Sequence, residues 1–190
     1  TTEQKTMHLK SILAAEKLWC QLFSEPEAGS DLGSLRTLAL RDGQGWVVNG
    51  QKVWCSGGRY SDWGILMART DPQTPKHRGI SFFLVDMRSE GIETRPLRQM
   101  TGEEEFDEVF FTDVHLPESA LLGSENGGWG VGMDILTKER GSIGAGAITM
   151  QRRLDALKAL AKKDLDMVTR QRLATLLAKG RSYHYLGLMQ

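Results

Sequence analysis

The sequence predicts an α+β fold: an antiparallel β-barrel flanked by helices, followed by an incomplete C-terminal helical bundle. Three observations predict it. Residues 18–122 carry short apolar runs broken by Gly, Pro, Asn and Asp, which is strand punctuation. After Gly127-Gly128 the period becomes helical, with Ile143, Ala147, Met150, Leu154 and Leu157 forming one stripe. The length of 190 residues, 40% hydrophobic and 25% charged, is that of one soluble globular domain or slightly more.

Taken in order, residues 1–17 read as the end of a helical region, with Met7, Leu9, Ile12 and Leu13 among charges. A strand-like run follows at Leu18–Phe23. Arg36–Leu40 and Trp46–Val48 flank Asp42-Gly43-Gln44-Gly45, a hairpin signal. Trp46–Val48 and Lys52–Cys55 flank Asn49-Gly50, which predicts a second hairpin because Asn and Gly suit the φ > 0 positions of a two-residue turn. Trp63–Arg69, Ile80–Asp86, Ile92–Leu97 and Glu108–Thr112 read as further strands. So many short strands suggest a barrel or sandwich over 18–122. Residues 126–190 form a partial helical domain. Its striped helix breaks around Lys162–Asp166, and a second helix carries Leu173, Leu176, Leu177 and Gly180. Two such helices lack a partner for their apolar faces, so a bundle completed by further sequence or by an oligomer is expected.

Composition excludes several function classes. Lys plus Arg and Asp plus Glu number 24 each, so the net charge is zero and there is no sequence-independent drive toward nucleic acid or an anionic membrane. No apolar run approaches the ~18 residues of a membrane span. No signal segment opens the chain, which predicts a reduced, cytoplasmic setting. The two cysteines, Cys20 and Cys55, form no disulfide framework and read as small buried residues. The four histidines, His8, His77, His115 and His184, lie far apart, so no metal site is predicted.

Four segments bear on chemistry. Phe23–Asp31 packs two hydroxyls, a rigid Pro and a Gly into one loop, which can offer N–H and O–H groups to a polar ligand. An ordinary Ser/Pro/Gly turn has the same composition. Trp54, followed by Cys55-Ser56-Gly57-Gly58, can present a stacking face to a flat ring with Ser56 as a polar handle; a core Trp at a strand end is the alternative. Gly127–Gly132 contains no GxGxxG spacing and follows no strand directly, so it reads as a helix start with glycines for close packing. Ile135, Glu139 and Ile143 are successive i+4 positions, placing Glu139 in the apolar stripe of its helix. A carboxylate buried there is paired or functional, and burial would raise its pKa toward that of a usable base. Helix drift to the stripe's edge, with Lys138 or a neighbour as partner, is the alternative. Glu103-Glu104-Glu105 reads as a solvated acidic loop.

Together these segments resemble the acyl-CoA dehydrogenase family. Ser24-Glu25-Pro26-Glu27-Ala28-Gly29-Ser30-Asp31 is similar to that family's signature of a Thr or Ser followed by E-P-x-A-G-S-D. Asn49–Gly58 is similar to its N-G-x-K-x-W-I-T-N-G segment. Gly79-Ile80 and the following strand fit, and Glu108–Pro117 resembles its F-x-D-V-x-V-P run. Gly127–Arg140 resembles the glycine-led helix that ends in an Arg. The match covers about residues 3–160, in the family's order.

The resemblance implies a β-barrel middle domain against which FAD lies. It implies cofactor contacts by Gln21, Phe23, Ser24, Gly29, Ser30, Trp54, Cys55 and Ser56. Ser24 would hydrogen-bond the isoalloxazine, Ser30 would touch both FAD and the CoA portion of the substrate, Trp54 would cover the ring, and Ser56 would lie near its reactive edge. Thr137 and Arg140 would touch the acyl-CoA. The implied reaction is α,β-dehydrogenation of an acyl thioester: a carboxylate takes the α-proton, and a hydride passes from the β-carbon to flavin N5. Electron-transfer flavoprotein is the implied acceptor. Most relatives carry the base in the C-terminal helices; Glu139 stands at the position used by a minority, the isovaleryl and long-chain types. The family's R-x-x-F-G element is absent near Lys162–Asp166. Asp164–Leu177 instead resembles unusual bacterial members, some of them unlike-subunit pairs acting on sterol-derived thioesters. Most of the family's helices are expected outside this chain. It would then be a piece of a longer enzyme or a short subunit that borrows half a site, in a homo- or hetero-oligomer. The rival reading is a non-catalytic, FAD-free subunit or structural domain.

Overall fold

The computed structural model describes residues 1–43, 45–140, 142–161 and 165–188. Gln44, Gly141 and Lys162–Asp164 lie outside the described residues, as do the side chains of Arg140, Ile143 and Ala147. The chain divides into two units, Thr1–Gly132 and Met133–Gln190.

The first unit opens on α1 (Thr2–Leu13), whose start is a capping box: Thr1 Oγ1 accepts from the Gln4 backbone N–H, and the Gln4 side chain accepts from the Thr1 nitrogen. Gln4 Nε2 also donates to the Ser119 and Leu121 carbonyls at 2.9 Å each, and His8 is buried edge-on to Trp19 and Trp63. Seven strands follow: β1 (Trp19–Leu22), β2 (Leu38–Asp42), β3 (Gly45–Ser56), β4 (Trp63–Arg69), β5 (Ile80–Asp86), β6 (Ile92–Leu97) and β7 (Phe106–Pro117). They form one sheet, read across as β5, β4, then β1 and β2 in turn along the same edge of β4, then β3, β7 and β6.

The sheet corrects the expected antiparallel barrel in two respects. It is mixed, because β1 runs parallel to β4 (Trp19↔Trp63 to Leu22↔Leu66) and β2 meets β4 in parallel at Leu38↔Arg69. These partners are not sequence neighbours, so no tight turn dictates their direction. It is also a curled half-barrel: among the named strands β5 pairs with β4 alone and β6 with β7 alone, and β5 adds only isolated bridges to Leu121 and Gly127. The buried side packs Trp46, Val48, Leu66, Phe83, Val85, Val109 and Val114. Ile80–Val85 of β5 is buried at every residue, as expected of a continuous apolar run covered on both faces.

The Asn49-Gly50 hairpin does not form. β3 continues through it, pairing antiparallel with β2 over Gly45–Asn49 and with β7 over most of its length. The pairing with β7 shifts between Val48 and Gly50, where Asn49 opposes two residues and Asp113 adopts φ +48°. The Asn49 side chain accepts from the Asp113 N–H and donates to the Asp113 carboxylate, 2.9 Å each. Gly50, at φ +153°, leaves no room for a Cβ, which would lie 2.5 Å from Thr37 Oγ1. The extra residue is Asp113 on β7; Asn49 accommodates the bulge by bonding Asp113, and Gly50 by its positive φ and missing side chain. The Asp42-Gly43 turn does join β2 to β3, with Gly43 at φ +59°.

α2 (Gly128–Arg140) runs out of the first unit into the second. Its first turns lie close on the sheet: a Cβ on Gly128 would sit 2.4 Å from the Ser81 carbonyl carbon, and one on Gly132 would sit 2.7 Å from Met67 Sδ. The glycines therefore serve close packing. The second unit continues with α3 (Ser142–Leu160) and α4 (Met167–Leu188). Leu154, buried in α3, fits against Gly180 of α4, while Leu157, Leu160, Met167, Val168 and Leu176 stay exposed. Among the described residues no helix is long and apolar enough to cross a membrane.

Candidate functional site

Two segments of the first unit meet to form the site. The first is the loop that leaves β1. Phe23 is buried edge-on against Phe82, and a narrow turn closes between Glu25 and Ala28, whose backbone groups exchange two hydrogen bonds (2.9 and 3.1 Å). That turn turns Gly29 and Ser30 out to solvent and leaves Gln21 and Ser24 half-buried. Asp31, beyond it, is exposed; hydrogen bonds from Lys76 and Ser34 hold its carboxyl below the usual range.

The second segment is the end of β3. Between Lys52 and Cys55 the pairing with β7 shifts again, and the extra residue lies on β3. The bulge puts Trp54 at φ +59°, a conformation that bulky side chains rarely adopt. Its indole is 58% exposed and rests edge-on to Phe106 at 5.6 Å. Alternation then buries Cys55 and exposes Ser56, and Gly57 turns the chain at φ +62°.

A buried ion pair joins the two segments. Lys52 Nζ, with no exposed side-chain surface, donates to Glu25 Oε1 at 2.7 Å and to the Phe23 carbonyl at 3.0 Å. Glu25 accepts in addition from the N–H groups of Arg36 (2.6 Å) and Thr37 (2.9 Å). The Val53 N–H donates to the Ser24 carbonyl at 2.9 Å. Burial opposes ionisation of Glu25, but the Lys52 charge and these donors outweigh it and hold its pKa below the ordinary value. Burial likewise draws the Lys52 pKa below that of a free lysine.

Sequence reasoning missed Glu25 and Lys52 as a pair. The signal was present: Trp46, Val48 and Lys52 share one parity in β3, and all three are buried. A lysine on such a face demands an acid. Cys55, expected among the cofactor contacts, lies in the core at 0% exposure, so the structure does not present it to a ligand: it packs behind Trp54 and Ser56. Burial pushes the Cys20 and Cys55 thiols up to about 11 and about 12.

Thr137 and Glu139 lie in the second unit, near the end of α2, and both are exposed. Of the two readings of Glu139, burial in an apolar stripe is not found: Ile135 is half-buried, Glu139 is exposed, and the side chains of Ile143 and Arg140 lie outside the described residues. The structure therefore brings together Ser24 and the Trp54–Ser56 segment in the first unit, whereas Thr137 and Glu139 belong to the second. Among the described residues no group of His, Cys, Asp and Glu is arranged to hold a metal ion.

The exposed indole, the half-buried Ser24 and the outward-facing Ser56 fit a flat polar ligand with one aromatic face. The sequence model of "Acyl-CoA dehydrogenase, middle domain" matches residues 20–114, half of the chain. The acyl-CoA dehydrogenase FadE34 of Mycobacterium tuberculosis is 45% identical over 177 residues, covering 93% of this chain and 25% of that protein. The solved "Tcur3481-Tcur3483 steroid ACAD" superposes with a TM-score of 0.88 at 33% identity, over all of this chain and 50% of that one. A glutaryl-CoA dehydrogenase of Mycobacterium smegmatis, solved in complex with FADH2, superposes with a TM-score of 0.82 at 27% identity, again over all of this chain and 50% of that one. The chain thus spans a quarter to a half of the length of the proteins it matches.

Proposed function

The chain belongs to the acyl-CoA dehydrogenase family, and from that premise we propose that it forms the flavin-facing part of an FAD-dependent enzyme that introduces an α,β double bond into an acyl-CoA thioester. The observation that carries this reading is Trp54: an exposed indole, held at φ +59° on a bulge and tied through Val53 to Ser24. A bulky residue kept in a sparsely populated conformation with its ring in solvent is poor economy for a core and good geometry for stacking.

In this reading FAD, when bound, supplies the electron chemistry by accepting a hydride from the substrate. The chain's own residues bind and orient. Trp54 provides the stacking face. Ser24 and Ser56 provide hydroxyls at the ring, and Gln21 completes its surroundings, with the buried Phe23 and Cys55 packed behind them. Gly29 and Ser30 offer backbone N–H and hydroxyl groups to phosphates, with Ser30 also toward the CoA portion. Thr137 and Arg140 hold the acyl thioester. Glu139 takes the α-proton once the thioester has displaced water, which raises the basicity of an acid that is exposed in this chain. The exposed apolar residues of α3 and α4 are covered by the remainder of a longer protein or by a partner subunit, alike or unlike. Electron-transfer flavoprotein is the proposed acceptor, and the cytoplasm the proposed compartment.

The test uses the whole protein that carries this chain. Purified material should show flavin absorbance. Trp54→Ala should weaken FAD binding by about twofold to tenfold, the value of one aromatic pair. Glu139→Gln should keep FAD and lower flavin reduction by acyl-CoA at least ~10²-fold. Absence of flavin would favour the non-catalytic subunit. Normal reduction in the Gln variant would move the base elsewhere.

A further inference from the structure

We propose that the buried Glu25–Lys52 pair is a positioning device: it fixes Ser24 and Trp54, carried on two segments that no strand ladder joins, at the separation a bound flavin requires. This rests on the flavin reading above. Neither residue faces the site, since Lys52 is wholly buried and Glu25 nearly so.

The topology creates the need. β1, which delivers Ser24, pairs with β4 and not with β3. β3, which delivers Trp54, pairs with β2 and β7. Among the described residues no ladder joins the two segments directly, and the Val53-to-Ser24 bond links their backbones. Lys52 supplies what is missing. Its ammonium bonds the Phe23 carbonyl, one residue before Ser24, and the Glu25 carboxylate, one residue after it. Lys52 itself lies two residues before Trp54, on the strand side of the bulge. Glu25 carries the clamp further, to the backbone of Arg36 and Thr37. Ser24 is thus bracketed on both sides by one fixed cation.

A device for stability alone would not look like this. A buried ion pair is commonly no better than a well-packed apolar pair of the same volume. What it adds is direction, because charged hydrogen bonds are short and geometrically strict. A bulged Trp at positive φ persists only where its surroundings over-determine it. Sites of this kind tolerate displacements of only about 0.5 Å.

The test compares Lys52→Met, which keeps volume and removes every donor, with Lys52→Gln, which keeps an N–H donor without the charge. Both are made in the whole protein and loaded with FAD. Three readouts are taken: the visible circular dichroism of the bound flavin, the FAD dissociation constant, and hydrogen exchange of individual amides. Lys52→Met should alter the shape of the flavin dichroism and raise the Kd about twofold to tenfold, because a displaced Trp54 loses its stacking contact with the ring. It should speed exchange at Val53, Arg36 and Thr37 while leaving β5 protected. Lys52→Gln should recover part of each change. A Met variant of lowered stability whose bound flavin has unaltered dichroism and affinity would overturn the proposal, because a purely structural pair predicts that outcome. If Lys52→Met does not fold, the wild type decides: equal protection at Val53, Arg36 and Thr37 marks one clamped unit, and unequal protection refutes it. If the wild type takes up no FAD, the flavin reading fails, and exchange in the FAD-free protein still judges the clamp.

Discussion

Glu25→Gln is the most informative single change for stability. The substitution keeps the side chain's size, removes the carboxylate bonded to Lys52, and turns one acceptor oxygen into a donor facing donors. Lys52 is fully buried, so its ammonium would have lost its counter-charge with no water to replace it. Removing one partner of a buried pair costs about 3–5 kcal/mol. The N–H of Arg36 or Thr37 left facing an amide belongs to the same loss and is not added to it. Against a total of about 5–15 kcal/mol, this is a large fraction. At roughly 2–4 °C per kcal/mol for a chain of this size, Tm should fall by ~6–20 °C at pH 7, measured by calorimetry or urea melts. The sign with pH follows from Glu25, whose folded pKa is held below its unfolded value despite burial. Its ionisation therefore stabilises the fold above the ordinary glutamate pKa, and that contribution fades as pH falls through the lower folded value. The gap between wild type and variant should narrow on acidification. A loss below ~0.5 kcal/mol at pH 7, or a gap that stays constant with pH, would refute the assignment of a functional ion pair.

Further outcomes follow from other parts of the molecule. Gly128→Ala drives a Cβ to 2.4 Å from the Ser81 carbonyl carbon and 2.6 Å from the Phe82 nitrogen, so it should cost about 1–3 kcal/mol; an unchanged melt would show that the α2 start does not pack as described. Cys20 and Cys55, with thiols pushed up to about 11 and about 12, should react with a disulfide reagent at pH 8 only as fast as the protein opens, and rapid labelling of the native protein would contradict their burial. Sedimentation of the purified 190-residue chain should show self-association through the exposed apolar residues of α3 and α4, and a monomer at high concentration would speak against it.

How far the sequence reaches can be judged element by element. β4, β5 and β6 stand at the residues where apolar runs and turn residues placed them. These are short-range signals: side-chain alternation and backbone freedom act within a few residues, and nothing distant competes with them. The motifs around Ser24, Trp54 and Glu139 were also legible, because residue identity and spacing are properties of the chain. Asn49-Gly50 shows where that reach ends. The dipeptide permits φ > 0, yet whether the chain reverses or bulges depends on Asp113 and Thr37 waiting across the sheet. The same holds for strand direction. β1 lies parallel to β4 because a long connection, and not a turn, separates them.

Glu25 and Lys52 stand 27 positions apart, and each taken alone is an ordinary charged residue. The sequence determined that Lys52 falls on the inward parity of its strand, and hence that it needs a partner. Only the tertiary structure decided that the partner is Glu25, that the pair brackets Ser24, and that Trp54 emerges beside it on a bulge. The physical reason is that a local pattern fixes which face a side chain takes, whereas the group it meets there is set by how non-adjacent strands cross, and no local spacing encodes that crossing.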